Sequence, residues 1–126
     1  MTEERTERGM KMRRRVLGDQ HVDRAEAART AFTSDFVDYF VAAAWGDVWT
    51  RPGLDLRTRS CVTVAMLVAL NRPDELRLHV RGALRNGVTE DELREILLQA
   101  AVYCGVPAAN EGYRLAQEVL QAEKLS

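Results

Sequence analysis

The sequence predicts an all-α fold, and three observations carry that prediction. Apolar residues recur at helical spacing and nowhere alternate as a half-buried strand would. Residues that start and stop helices divide the chain at helical lengths. The one strand-like apolar run, CVTVAMLVAL at 61–70, has no partner strand elsewhere, so its length favours a helix. At 126 residues one domain is expected, with no internal repeat or low-complexity segment.

Taken in order, residues 1–22 mix charges of both signs with two glycines and few apolar anchors. This N-terminal segment is expected to be mobile or packed on a neighbouring subunit, with Arg13, Arg14 and Arg15 solvated. A helical domain then fills 23–126. DRAEAARTAF favours helix, and Ser34 can N-cap a segment in which Phe36, Tyr39, Phe40 and Ala43 repeat helically, ending at Gly46. Pro52-Gly53 signals a turn before the apolar segment Leu56–Leu70. Pro73 suits a first helical position, Asp74 and Glu75 suit the positive end of the dipole, and Asn86-Gly87 supplies a left-handed stop. Thr89 to Glu92 is a capping-box pattern; the helix it opens stops at Gly105, and Pro107 can start the last one.

Lys plus Arg total 18 against 19 Asp plus Glu, a formal charge of −1. No global field therefore favours nucleic acid or an anionic membrane, and any anion must be caught locally. Lys11 and Lys124 are the lysines, so arginine dominates; biased base composition is the favoured cause over carboxylate recognition. Cys61 and Cys104 lie 43 positions apart, which builds neither a CxxC pair nor a metal cluster. Two buried, reduced thiols are expected. The longest apolar run is too short to span a bilayer, and a soluble cytoplasmic protein is expected.

Two stretches carry more than fold. In DELREILLQAAVYC, Leu93, Ile96, Leu97, Ala100, Ala101 and Cys104 make one apolar face, yet Leu98 and Val102 lie roughly opposite. Subunit contact or burial as a central helix would each explain a helix apolar on both sides. In ELRLHVRGALRNG, a 100° step places His79 inside the apolar arc of Leu76, Val80 and Ala83. Glu75 sits one turn earlier, Arg72 extends the stripe upstream, and Gly82 removes bulk beside the imidazole. A carboxylate, an imidazole and a guanidinium then stand beside a gap, and a ring held by Glu75 would suit delivery of a proton. A histidine satisfied within the core, with Glu75 as a first-turn charge, fits the same spacing.

Several long blocks, GMKMRRRVLGDQHVDRA, WGDVWTRPGLDLRTRS and RPDELRLHVRGALRNGVTEDELREILLQAAVYCGVPAAN, resemble the 4-carboxymuconolactone decarboxylase family over nearly the whole chain. That family belongs to the alkylhydroperoxidase-D-like superfamily, and the resemblance implies an all-helical bundle assembled as a homo-oligomer, a trimer or hexamer. Peroxidase members carry CxxCxxxH on the equivalent helix. If His79 matches that histidine, Arg72 and Glu75 occupy the cysteine positions, so the thiol chemistry is absent and the histidine remains.

The resemblance implies decarboxylation of 4-carboxymuconolactone to the 3-oxoadipate enol-lactone, in the protocatechuate branch of the 3-oxoadipate pathway. It implies no cofactor and no metal, because the unsaturated lactone is its own electron sink. The enzyme must orient two carboxylates, stabilise charge on the lactone oxygen and protonate the carbon beside it. On this reading His79 donates the proton or stabilises the lactone oxygen, and Glu75 orients it. Arg51, Arg57, Arg59 and Arg72 are the candidates to clamp the carboxylates. Tyr103 reads as core or interface, Asn110 as open to a side-chain contact, Trp45 and Trp49 as packing or the wall of a small pocket, and His21 as structural. The rivals are a lyase for a related carboxylated lactone and a non-catalytic oligomeric helical module binding a small carboxylic acid.

Overall fold

A computed structural model describes residues 2–125, and among them the regular structure is helical with no strand. The packing divides into two compact units, one ending at Asp55 and the other beginning at Leu56. The break falls after the Pro52-Gly53 turn, and Thr2–Leu17 and Asp19–Ala27 are helical.

The first unit holds α1 (Thr2–Leu17), α2 (Asp19–Ala27) and α3 (Ser34–Phe40), which runs directly into a π-helix, Val41–Val48. The wider winding is visible where the Trp49 amide donates to the Ala44 carbonyl, five residues back, at 2.9 Å. Gly46, expected to stop the helix, lies inside this π-helix because α1 crosses it there. A Cβ on Gly46 would lie 2.4 Å from the Arg5 carbonyl oxygen, and one on Gly9 would lie 2.0 Å from the Val41 carbonyl oxygen. Only glycines let two backbones approach so closely. Arg5 then clamps Asp47 through two nitrogens at 3.0 and 2.6 Å, and that bond holds the Asp47 carboxyl below its ordinary range.

Three other expectations change in this unit. Arg13 is buried, not solvated: it pairs with Glu26 at 3.3 Å and lies 5.3 Å over the Phe40 ring, and burial lowers its pKa. Ser34 is the first helical residue and makes no cap; Thr33 stands at the N-cap position, while the Ser34 hydroxyl accepts from Arg29. Phe36 and Tyr39 are exposed, and the core is made instead by Val16, Leu17, Val22, Val41 and the stacked, buried pair Trp45 and Trp49.

The second unit comprises α4 (Leu56–Leu70), α5 (Pro73–Arg85), α6 (Glu90–Cys104) and α7 (Val106–Leu125). Its helix ends follow the punctuation of the sequence. Pro73 opens α5; Gly87 and Gly105 take left-handed φ of 92° and 99°; and Thr89 and Glu92 form both bonds of the capping box, at 3.1 and 2.9 Å. The core joins Val64 and Val68 of α4, Leu76 and Val80 of α5, Leu93 and Leu97 of α6, and Leu115 and Val119 of α7. Gly112 lets α7 settle on it, since a Cβ there would lie 2.9 Å from Leu97. α6 buries one face and leaves Leu98, Val102 and Tyr103 exposed, so it is not a central helix within this unit. Cys104 is exposed and Cys61 partly buried; both are free thiols, against the expectation of two buried ones.

Candidate functional site

The site is positioned by the α4–α5 hairpin. Its turn is made by Asn71, which takes φ 58°, a conformation asparagine tolerates better than most residues. At the far end of the hairpin Asn86 Nδ2 donates to Ser60 Oγ at 2.9 Å, and Ser60 is 1% exposed. These two contacts lock the register of α5 against α4.

Viewed down α5 with Leu76 at zero, a step of about 100° puts Glu75 near 260°, Asn86 near 280° and His79 near 300°, with Arg77 near 100° and Arg81 near 140°. The bonds show what each flank meets. Asn86 reaches Ser60 on α4, whereas Arg77 reaches Glu118 at 2.9 Å and Arg81 reaches Glu123 at 3.6 Å, both on α7. The Arg77 bond holds Glu118 below the ordinary carboxylate range. His79 and Glu75 are therefore on the flank turned toward α4, away from the ion pairs that bind α5 to α7. His79 is half-buried with its Nδ1 shielded from solvent, while Glu75 is exposed. Such a ring still reaches the surface, while Glu75, one turn earlier, makes no hydrogen bond or ion pair with it.

Moving roughly 10 Å along the antiparallel pair from the Asn86–Ser60 bond, seven residues of α5, brings His79 level with residues 64–67 of α4. On α4, Ser60 takes the α5 contact and Arg57, about 60° away, takes the α6 contact by pairing with Glu92. On the same 100° step Thr63 lies about 60° and Arg59 about 100° from Ser60, both on the flank opposite Arg57. The Thr63 hydroxyl donates to the Arg59 carbonyl at 2.9 Å, and Arg59 is partly buried with its Nε shielded.

The four arginines thus separate. Arg59 adjoins Ser60 at the Asn86 end of the hairpin, roughly 8–12 Å along α4 from the level of His79. Arg57 is on the other flank of α4, committed to Glu92. Arg72, exposed at the N-cap of α5, lines a cleft that neither His79 nor Glu75 lines. Arg51 belongs to the first unit, where its amide closes a turn onto the Val48 carbonyl at 3.0 Å. Sequence reasoning read Asn86 only as a turn residue and overlooked Ser60; an Asn-Gly pair signals the turn and gives no sign of a second bond made by its side chain. Among the described residues, no three His, Cys, Asp or Glu side chains gather as a metal site requires.

Comparison with known proteins gives three findings. Residues 34–118 match the family described as the carboxymuconolactone decarboxylase family. The chain is 46% identical over 119 residues to 4-carboxymuconolactone decarboxylase of Acinetobacter baylyi, covering 94% of this chain and 89% of that one. It is 44% identical over 112 residues to a nitrosuccinic acid decarboxylase of Metarhizium robertsii, covering 89% and 78% respectively.

Proposed function

The chain belongs to the carboxymuconolactone decarboxylase family, and from that premise we propose how its own residues carry out the reaction. It is a carboxy-lyase that converts 4-carboxymuconolactone to the 3-oxoadipate enol-lactone and CO2 in protocatechuate breakdown; the observation that carries this is 46% identity across 94% of the chain.

The substrate's leaving carboxylate sits on the ring carbon that also bears the acetate arm. Loss of CO2 sends the bonding pair through the ring double bond into the lactone carbonyl, giving a dienolate. A proton delivered to the carbon next to that carbonyl completes the enol-lactone. His79 is assigned to the lactone end, as proton donor or as the donor of a hydrogen bond to the lactone oxygen, and Glu75 as the group that orients its ring. Arg59, partly buried on α4 with its Nε shielded, is assigned to a substrate carboxylate, which a guanidinium can hold with two bonds. Arg57 and Arg72 are left out, because one is committed to Glu92 and the other lines a different cleft.

The chain is further proposed to work as a homo-oligomer, trimer or hexamer, in the cytoplasm. Supporting assembly, Val62, Met66 and Leu70 form an exposed stripe along α4, and Leu98, Val102 and Tyr103 another on α6. Among the described residues no helix is long and apolar enough to cross a membrane. Light scattering after size exclusion tests the assembly, and a monomer at micromolar concentration would refute it.

The relative from Metarhizium favours a second reading in which the substrate is another acid whose carboxylate lies next to an electron acceptor. A nitro group accepts the pair released with CO2 as a conjugated lactone carbonyl does. One assay separates the readings: 4-carboxymuconolactone is generated in situ by its cycloisomerase, and enol-lactone absorbance and CO2 are followed after this protein is added, with nitrosuccinate run in parallel. Turnover of the lactone establishes the first reading. Turnover of nitrosuccinate alone transfers the assignment to the second.

A further inference from the structure

We propose that the cleft at the tip of the α4–α5 hairpin, facing the first half of α7, binds a small organic acid with an apolar body, its carboxylate held by Arg72. The site is distinct from the His79 groove and stands independently of the reaction assigned there.

The cleft has a volume of about 410 Å3, within the range of small-molecule sites. Its floor is apolar: Val68, Leu76 and Leu115 line it and are 2%, 3% and 0% exposed. Arg72 stands at its rim on a fixed backbone. Its amide donates to the Leu67 carbonyl at 3.1 Å, and its carbonyl accepts from the Leu76 amide at 2.9 Å. The backbone that carries the guanidinium is fixed before any ligand arrives, so only the side chain must be ordered on binding.

What singles out Arg72 is its lack of a counter-charge. Elsewhere in this unit Arg57, Arg77, Arg94 and Arg114 are all tied to carboxylates. Among the described residues no carboxylate engages Arg72. Glu111, on the cleft wall, is held by Arg114 at 3.0 Å and pushed below the usual carboxylate range by it, and Asp74 takes Arg77 at 3.3 Å. An unengaged planar donor above an apolar floor matches a ligand with a carboxylate at one end and a few carbons at the other.

Methyl NMR of the intact protein tests this, with hexanoate as probe and the neutral hexanamide as control. Hexanoate is expected to shift the Leu76 and Leu115 methyls to saturation, in the wild type and in His79→Ala alike, whereas hexanamide leaves them unmoved. Arg72→Gln is expected to weaken hexanoate about tenfold or more. Ala108→Trp, which fills the cleft from the α7 wall, should abolish the shifts. The proposal is overturned if those methyls do not respond, if hexanamide shifts them as much as hexanoate, or if Arg72→Gln binds hexanoate like the wild type.

Discussion

Placing a methyl group on Gly9 tests the reasoning about the first unit most directly. In Gly9→Ala the new carbon would lie 2.0 Å from the Val41 carbonyl oxygen and 2.9 Å from the Gly46 nitrogen. Both are backbone atoms, so neither can rotate aside. Ordinary contact begins more than 1 Å farther out, and α1 must withdraw from the π-helix by about that much. The Arg5 Nη2–Asp47 bond, 2.6 Å long, would lengthen with it unless the side chain follows. Overpacking of this kind costs about 1–3 kcal/mol. Gly53 provides the control, because nothing lies within 4 Å of a Cβ built there. Gly53→Ala is expected to be neutral or slightly stabilising, by up to about 1 kcal/mol, through the unfolded chain. Urea denaturation followed by circular dichroism at one fixed protein concentration reads both variants, since assembly would otherwise shift the midpoint. Equal midpoints for Gly9→Ala and Gly53→Ala would refute the backbone-to-backbone crossing.

Three further outcomes are expected. His79→Ala should lower kcat about 100-fold or more with an unchanged helical spectrum, and activity near wild type in the folded variant would remove His79 from the chemistry. Asn86→Ala should cost roughly 1–3 kcal/mol by leaving the buried Ser60 hydroxyl without its donor. If that bond is the cause, adding Ser60→Ala costs less than the two single losses summed, and strict additivity in the double-mutant cycle would argue against it. Asp47, whose folded pKa lies below its ordinary value because of the Arg5 hydrogen bond, contributes stability that is complete above the unfolded pKa and is lost as pH falls through the folded one. Stability should therefore decline below about pH 4. Asp47→Asn should flatten that part of the curve, and an unaltered acid limb would exclude Asp47 as a contributor.

The second unit was legible in the sequence because local chemistry decides its helix ends. Pro73, the Thr89–Glu92 capping box, Gly87 and Gly105 each specify a backbone conformation or a bond within a few residues of themselves, and each acts in the structure as its type requires. The placement of His79 on the flank of an apolar arc follows equally from a 100° step. The family match over residues 34–118 takes in two of the three blocks that were readable directly, those at 45–60 and 72–110.

Tertiary structure alone decided what depends on a second segment. Gly46 reads locally as a stop, yet it serves as the crossing point for α1, 37 residues earlier than itself at Gly9. Arg13 reads as solvated, but it is buried because Glu26 and the Phe40 ring receive it. The four candidate arginines are equivalent by type; only their surroundings separate Arg57, committed to Glu92, from Arg59, partly buried on the opposite flank of α4, and Arg72 at the rim of its own cleft. Helix caps and turns are short-range and therefore written in the order of residues. Close backbone approach, charge pairing and cleft shape arise between residues far apart in the chain, so they become visible only once it is folded.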